Sequence, residues 1–236
     1  MTRRRQLALV CLILLVAMVC CGPSKGTTTG PTAALANIDS VTPLPPPGQS
    51  AGASLAEVLT ERRSIRSFAD QTLTMSQIGQ LCWAAQGVTS PQGYRTAPSA
   101  GALYPLELYV ATAAGVFHYE PVSHTLAVHS EHDHRQALYE AALRQEPVRQ
   151  APAIFVVTAV YERMAAKYGA ERSPRYVHLE AGHAVQNLLL QAVALELGAV
   201  PIGAFHDQKV QEALRLPTDR EPLYLIPVGH SQEANH

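Results

Sequence analysis

Cysteine is almost missing from the body of this 236-residue chain. Cys11, Cys20 and Cys21 fall within the first 21 residues, which leaves Cys82 alone. One thiol makes neither a disulfide framework nor a cysteine zinc site. In its apolar helical context Cys82 reads as a buried, inert thiol. Charge is also scarce: 18 Lys and Arg face 19 Asp and Glu, for a net charge of −1. With no basic excess, nothing points to nucleic acid as a partner. No segment repeats. Paired metal ligands are missing too. His178 and His183 stand five apart and share no helical face, and the Glu180–His183 pair has no second such pair to complete a site. His129, His132 and His134, beside Glu131 and Asp133, suit only weak adventitious binding, so no metal is assigned.

What is present begins with an export segment. Arg3, Arg4 and Arg5 precede the uncharged run Leu7 to Val19, too short for a comfortable membrane span, and Cys20-Cys21-Gly22 follows. This is signal-peptide grammar. The cysteine at its end resembles a bacterial lipobox, with Cys21 (or Cys20) as the lipidated residue. Residues 2–7 loosely resemble a twin-arginine signal. The expected organisation is a signal peptide over 1–20 and a tether over 21–53, rich in Gly, Pro, Ser and Thr. One domain over 54–230 and a tail over 231–236 follow. Without residues 1–20 the chain carries 15 cations against 19 anions. The expected location is the extracytoplasmic face of a bacterial membrane, held there by the lipid.

Within the domain, Ser54-Leu55-Ala56-Glu57 is a capping box opening a short helix. Thr74 caps a second helix that Gly87 stops. Strands are expected over 106–111, 115–119, 125–129, 153–160 and 223–228, with the second and third forming a hairpin around Pro121. Helices are expected over 135–145, 162–168, 176–197 and 207–214. The helix over 176–197 is read as apolar enough to be buried or packed on a partner subunit. A hairpin interrupts the alternation of helices and strands, which argues for an α+β fold with a mixed sheet.

Two segments carry chemistry. Arg62-Arg63-Ser64-Ile65-Arg66-Ser67-Phe68 concentrates three guanidiniums and two hydroxyls. Arginine forks match phosphate oxygens bidentately and serine adds a short donor. Alone, the segment fits a phosphate grip and a solvated loop about equally well. The loop from Ala97 to Pro105 sets small residues between Pro98 and Pro105, so its backbone can approach a flat ligand closely.

These two segments resemble the FMN-dependent nitroreductase superfamily. So do Glu180-Ala181-Gly182-His183, Gln186-Asn187 and Gly198 to Ala204. The closer likeness is to the SagB-type azoline dehydrogenases that form thiazole and oxazole rings in peptides. The resemblance implies a mainly antiparallel sheet flanked by helices, and a homodimer with the long helix at its interface. It implies that Arg62, Arg63, Ser64 and Arg66 hold FMN. Pro98, Ser99, Ala100, Gly101 and Leu103 would reach it, usually from the other subunit. Ile202, Gly203 and Ala204 would line its ring. It also implies that Lys167 and Tyr168 are catalytic, since azoline oxidation removes a carbon-bound proton as hydride leaves. A lysine of depressed pKa or a tyrosine beside a cation can take that proton.

The chain departs from the family in two respects, its C-terminal end and its exported location. Many nitroreductases carry a further basic residue after the last strand, where this chain has only His230 before its polar end. More of the phosphate grip then falls on Arg62, Arg63 and Arg66. Export removes a steady NAD(P)H supply. The expected activity is therefore FMN-dependent oxidation of a small molecule or peptide heterocycle. The alternatives are an NAD(P)H-dependent nitro- or quinone reductase and a lipoprotein that binds flavin without turnover.

Overall fold

A computed structural model describes residues 41–48 and 53–232. The signal peptide, both lipidation candidates and most of the tether fall outside the described residues, as does the end of the tail.

The sheet is built on its central strand. The run Ala153–Ala159 (β5) is buried at every position, which suits a strand covered on both faces. It pairs antiparallel with Leu106–Thr112 (β2) on one side and with Glu221–His230 (β7) on the other. Gly115–Glu120 (β3) and Thr125–Ser130 (β4) form the expected hairpin beyond β2. Leu197–Ala199 (β6) closes the other edge against β7. Val41–Pro43 (β1) pairs with β4, giving the order β1-β4-β3-β2-β5-β7-β6. Every pairing is antiparallel.

β1 corrects the expected tether. Residues 41–44 belong to the domain: Leu44 is buried and its side chain fills the space above Gly79. The prolines that follow hid the strand, because three residues are too few for an alternation to show.

Side-chain alternation along β5 splits the core in two. Phe155 and Val157 face one cluster with Leu81, Val177, Ala181 and Leu188. Ile154 and Val156 face the other, with Leu138, Val148, Val210 and Leu214. The helices Met75–Gln86 (α2) and Ser173–Ala194 (α6) cover the first face. The helices Arg135–Ala141 (α3), Glu146–Gln150 (α4) and Asp207–Leu214 (α7) cover the second. The capping boxes of Leu55–Glu61 (α1) and α2 both form: Ser54 and Thr74 each accept from the backbone of the third helical residue and receive its side chain in return.

Two helix expectations change. The expected helix over 135–145 ends at Ala141, because Leu143 and Arg144 take positive φ, and a separate helix, α4, follows it. The long helix starts and stops about three residues earlier than expected, and Leu197 goes to the sheet. Nor is it apolar all round. One stripe with Val177, Ala181, Ala184 and Leu188 is buried, while His178, Leu179, Gly182, His183 and Gln186 are exposed.

Candidate functional site

The arginine segment is held against the edge of the sheet. Arg62 caps the C-terminus of α1 with its N–H on Val58. Ile65 N–H donates to the carbonyl of Ala199 at 3.1 Å, so the segment lies beside β6. Gly198 makes that approach possible: an added Cβ would fall 2.6 Å from Ile65 Cγ2. Arg63 Nη1 donates to the carbonyls of Thr60 and Arg62, and Arg66 Nη1 to that of Ser64. Each guanidinium therefore keeps further N–H groups unspent by these bonds. Both side chains are exposed, and Arg62 and Ser64 are half-buried.

Arg66 lines a cavity of about 360 Å³ with Val200, Pro201, Ile202, Gly203 and Ala204. That volume is in the range of small-molecule sites, about 300–1,000 Å³. Nothing stands within 4 Å of the Cβ position at Gly203, so the backbone there is open to a ligand. Gln145, Glu146 and Pro147 form the remaining wall. Sequence reading missed them, because they form the cap and first turn of α4, a helix it did not expect. Gln145 Nε2 donates to the carbonyl of Ala204 at 2.8 Å and braces that stretch.

Pro98 to Leu103 lie elsewhere. The loop turns tightly at Ala100–Ala102, with Gly101, Ala102 and Tyr104 all at positive φ. Ala100 and Leu103 pack on the core face covered by α2 and α6. Lys167 and Tyr168 end the helix Tyr161–Tyr168 (α5) and meet this same loop. An added Cβ on Gly101 would fall 2.8 Å from Lys167 Nζ and 2.9 Å from the Tyr168 hydroxyl. Lys167 Nζ stands 5.6 Å from the centre of the Tyr168 ring, which leans on Tyr176 at 4.6 Å. The pair is thus a tyrosine beside an exposed cation.

One turn before Lys167, Arg163 pairs with Glu107 and donates to the carbonyl of Tyr104 at 3.1 Å. Burial would raise the Glu107 carboxyl, but the His118 hydrogen bond and the Arg163 guanidinium bring it below its usual range. The spacing of Arg163 and Lys167, four apart, is the signal that could have drawn Arg163 into the site from sequence.

The candidate residues therefore form two groups. Strand register places them apart. Leu106, where the loop enters the sheet, aligns with Ala159, while Ala199, beside the arginines, aligns through Val228 with Ala153. The separation along β5 is about 20 Å at 3.3 Å per residue. The two groups also lie on opposite core faces, since Ile65 and Ile202 pack with α3 and α7.

The other residues weighed from sequence take ordinary roles. His178 shares a hydrogen bond with Tyr161, His129 with the Leu214 carbonyl and His134 with Ser130. Cys82 is fully buried, and burial pushes its thiol up.

Residues 59–230 match the model of the nitroreductase family. The chain belongs to the nitroreductase family. A Methanocaldococcus jannaschii protein named as a nitroreductase is 41% identical over 187 residues, covering 76% of this chain and 92% of its own. The trifolitoxin-processing protein TfxB of Rhizobium leguminosarum is 30% identical over 60% of this chain, which spans only 41% of TfxB. Among solved nitroreductases, one from Ralstonia eutropha superposes with a TM-score of 0.76 at 31% identity, over 83% of this chain and 91% of that one. One from Desulfovibrio desulfuricans, solved with FMN, shares the nitroreductase fold at 24% identity and a TM-score of 0.59, over 77% and 88% of the two chains.

Proposed function

We propose that this nitroreductase-family protein is an FMN-dependent oxidoreductase. It acts as a homodimer and removes a hydride and a proton from a small molecule or peptide heterocycle, in the manner of azoline to azole. The observation that carries the reading is the cavity where Arg66 and the open backbone of Ile202–Ala204 meet beside the arginine segment. Its donor chemistry fits FMN: the Arg66 guanidinium for a phosphate, with Arg62, Arg63 and Ser64 in the same segment, and a bare backbone for a flat ring.

FMN, when bound, supplies a two-electron acceptor for hydride. Arg62, Arg63 and Arg66 hold its phosphate and lend positive charge to that side of the site. Ile202, Gly203 and Ala204 would line and orient its ring. The Pro98–Leu103 loop of a second subunit would reach it, which the separation of the two groups within one chain favours. Lys167 Nζ and the Tyr168 hydroxyl, converging on that loop, take the proton lost from the substrate carbon.

The azoline reading draws on the likeness to TfxB and on the Lys167–Tyr168 pair. An NAD(P)H-dependent nitro- or quinone reductase is the second reading, favoured by the name carried by the Methanocaldococcus relative. We further propose export and lipid anchoring through Cys21 or Cys20, which favours substrate oxidation where NAD(P)H is scarce.

The test starts from the visible spectrum of the purified protein, which should show bands of oxidised flavin. Arg62→Ala with Arg66→Ala should abolish flavin retention, and a stoichiometric yellow double mutant refutes the site. Lys167→Ala should retain flavin and slow substrate oxidation by about 10²-fold or more. Unchanged turnover removes Lys167 from the mechanism. Stopped-flow bleaching by an azoline compound, against bleaching by NAD(P)H, separates the two activities.

A further inference from the structure

Glu180 is the one acidic side chain that α6 buries, only 2% exposed among Val177, Ala181 and Ala184. A lone carboxyl in an apolar helical stripe is costly unless neighbours satisfy it. Its oxygens lie beside the Ser99 hydroxyl and the Gln86 amide, yet neither oxygen completes a hydrogen bond of good geometry, and Gln86 Nε2 is buried in the same condition. Arg95 orients this group: its Nη1 donates to Gln86 Oε1 at 2.8 Å, which turns the amide nitrogen away from Arg95.

The same residues fold the loop. Ser99 Oγ accepts from Tyr104 N–H at 2.9 Å, which leaves its own proton free to donate. The Arg95 guanidinium stacks 4.4 Å above the Tyr104 ring, and Arg95 N–H donates to the Tyr104 hydroxyl at 3.2 Å. These contacts clamp a segment in which Ala102 and Tyr104 hold left-handed backbone, a conformation that non-glycine residues adopt only at a cost. Pro98, Gly101 and Ala102 are exposed on the outside of the loop. Through Ser99 the loop thus lies against the buried Glu180 carboxyl.

We propose that Glu180 is a positioning residue. Its buried carboxyl, with Gln86, Arg95 and Ser99, holds the Pro98–Leu103 loop in the closed form that meets Lys167 and Tyr168, and closure of the loop takes up one proton at this carboxyl. The second half rests on linkage. A closed loop denies the carboxylate water and raises its pKa to about 7, with burial as the largest cause and Ser99, Arg95 and Gln86 opposing it. An open loop returns it to the ordinary range. Between those two values each pH unit favours the open form by about tenfold, and the effect levels off above the higher one. Arg95 is the charged group acting directly on Glu180. Glu107 of β2 and Arg163 of α5 act in turn on Arg95, and Tyr119 of β3, within reach of Arg95, is held neutral by burial. The effect on catalysis rests on the FMN reading above, but loop closure does not.

The experiment is amide hydrogen exchange over residues 98–104 of the flavin-free protein, corrected for the intrinsic pH dependence of exchange. Wild-type protection should fall by about tenfold per unit from pH 5 towards 7 and then flatten. Glu180→Gln, a mimic of the protonated acid, should be protected and flat across that range. Glu180→Ala should be poorly protected throughout. Should Glu180→Ala fail to fold, Ser99→Ala must show the same loss at the Tyr104 amide. Protection in Glu180→Gln that still falls with pH overturns proton uptake at this residue. Wild-type protection in both Glu180→Ala and Ser99→Ala overturns positioning. A colourless wild type would refute the FMN reading and leave these exchange outcomes to decide the loop.

Discussion

A single missing methyl at Gly198 sets where the arginine segment can lie. Its backbone is pressed against Ile65, whose Cβ would stand only 2.8 Å from an alanine Cβ, and Ile65 is followed directly by Arg66. Ile65 is tied through its N–H to Ala199, so it cannot retreat without opening the edge of the sheet. Gly198→Ala should therefore cost about 1–3 kcal/mol of stability, as overpacking does. It should weaken FMN retention far more than a surface change of that size. Chemical denaturation and the flavin-to-protein absorbance ratio measure the two effects. An unshifted denaturation midpoint with full flavin content would mean that the edge yields. Gly101 contrasts with it: there the crowding atoms are the mobile ends of Lys167 and Tyr168, and the positive φ is the firmer constraint.

At the scale of elements, α5 is a short helix with a large task. Its last turn carries Lys167 and Tyr168, and one turn earlier Arg163 binds both Glu107 and the Tyr104 carbonyl. The helix is thereby fastened to the strand and the loop it must face. Arg163→Met keeps the stem and removes the fork. It leaves Glu107 with His118 as its remaining partner, 2.7 Å away. The expected cost is about 1–3 kcal/mol in stability, with flavin kept and substrate oxidation slowed. Turnover equal to wild type would show that α5 holds Lys167 and Tyr168 in place without the anchor.

These elements also show what sequence could and could not convey. β5 was legible because a strand buried on both faces is a continuous apolar run. The α1 and α2 starts were legible because a capping box is a local pattern. β1 was not, since its place depends on β4, some 80 residues away in sequence. The break between α3 and α4 was hidden because Leu143 and Arg144 are not residues that announce left-handed backbone. Each group of candidate residues was visible as a string in the sequence. Their separation was not, because it is a property of strand register.

At the scale of the whole molecule, that separation makes a prediction that no single substitution can. If each flavin lies between the arginines of one subunit and the loop of another, damage to the two halves should complement. Take one chain carrying Arg62→Ala and Arg66→Ala, and a second carrying Gly101→Val, whose branched side chain is strained at positive φ and must displace the ends of Lys167 and Tyr168. Each homodimer has two defective sites and should purify with little flavin. A mixed dimer, co-expressed with two different tags and purified through both, pairs the damaged arginines with the damaged loop at one site. It leaves the other site wholly intact. It should therefore hold about half the wild-type flavin per chain and regain about half the turnover, by the symmetry of a two-fold assembly. Light scattering should report a dimer for every species. A mixed dimer as empty as its parents would place both halves within one subunit's site, against the register of the sheet.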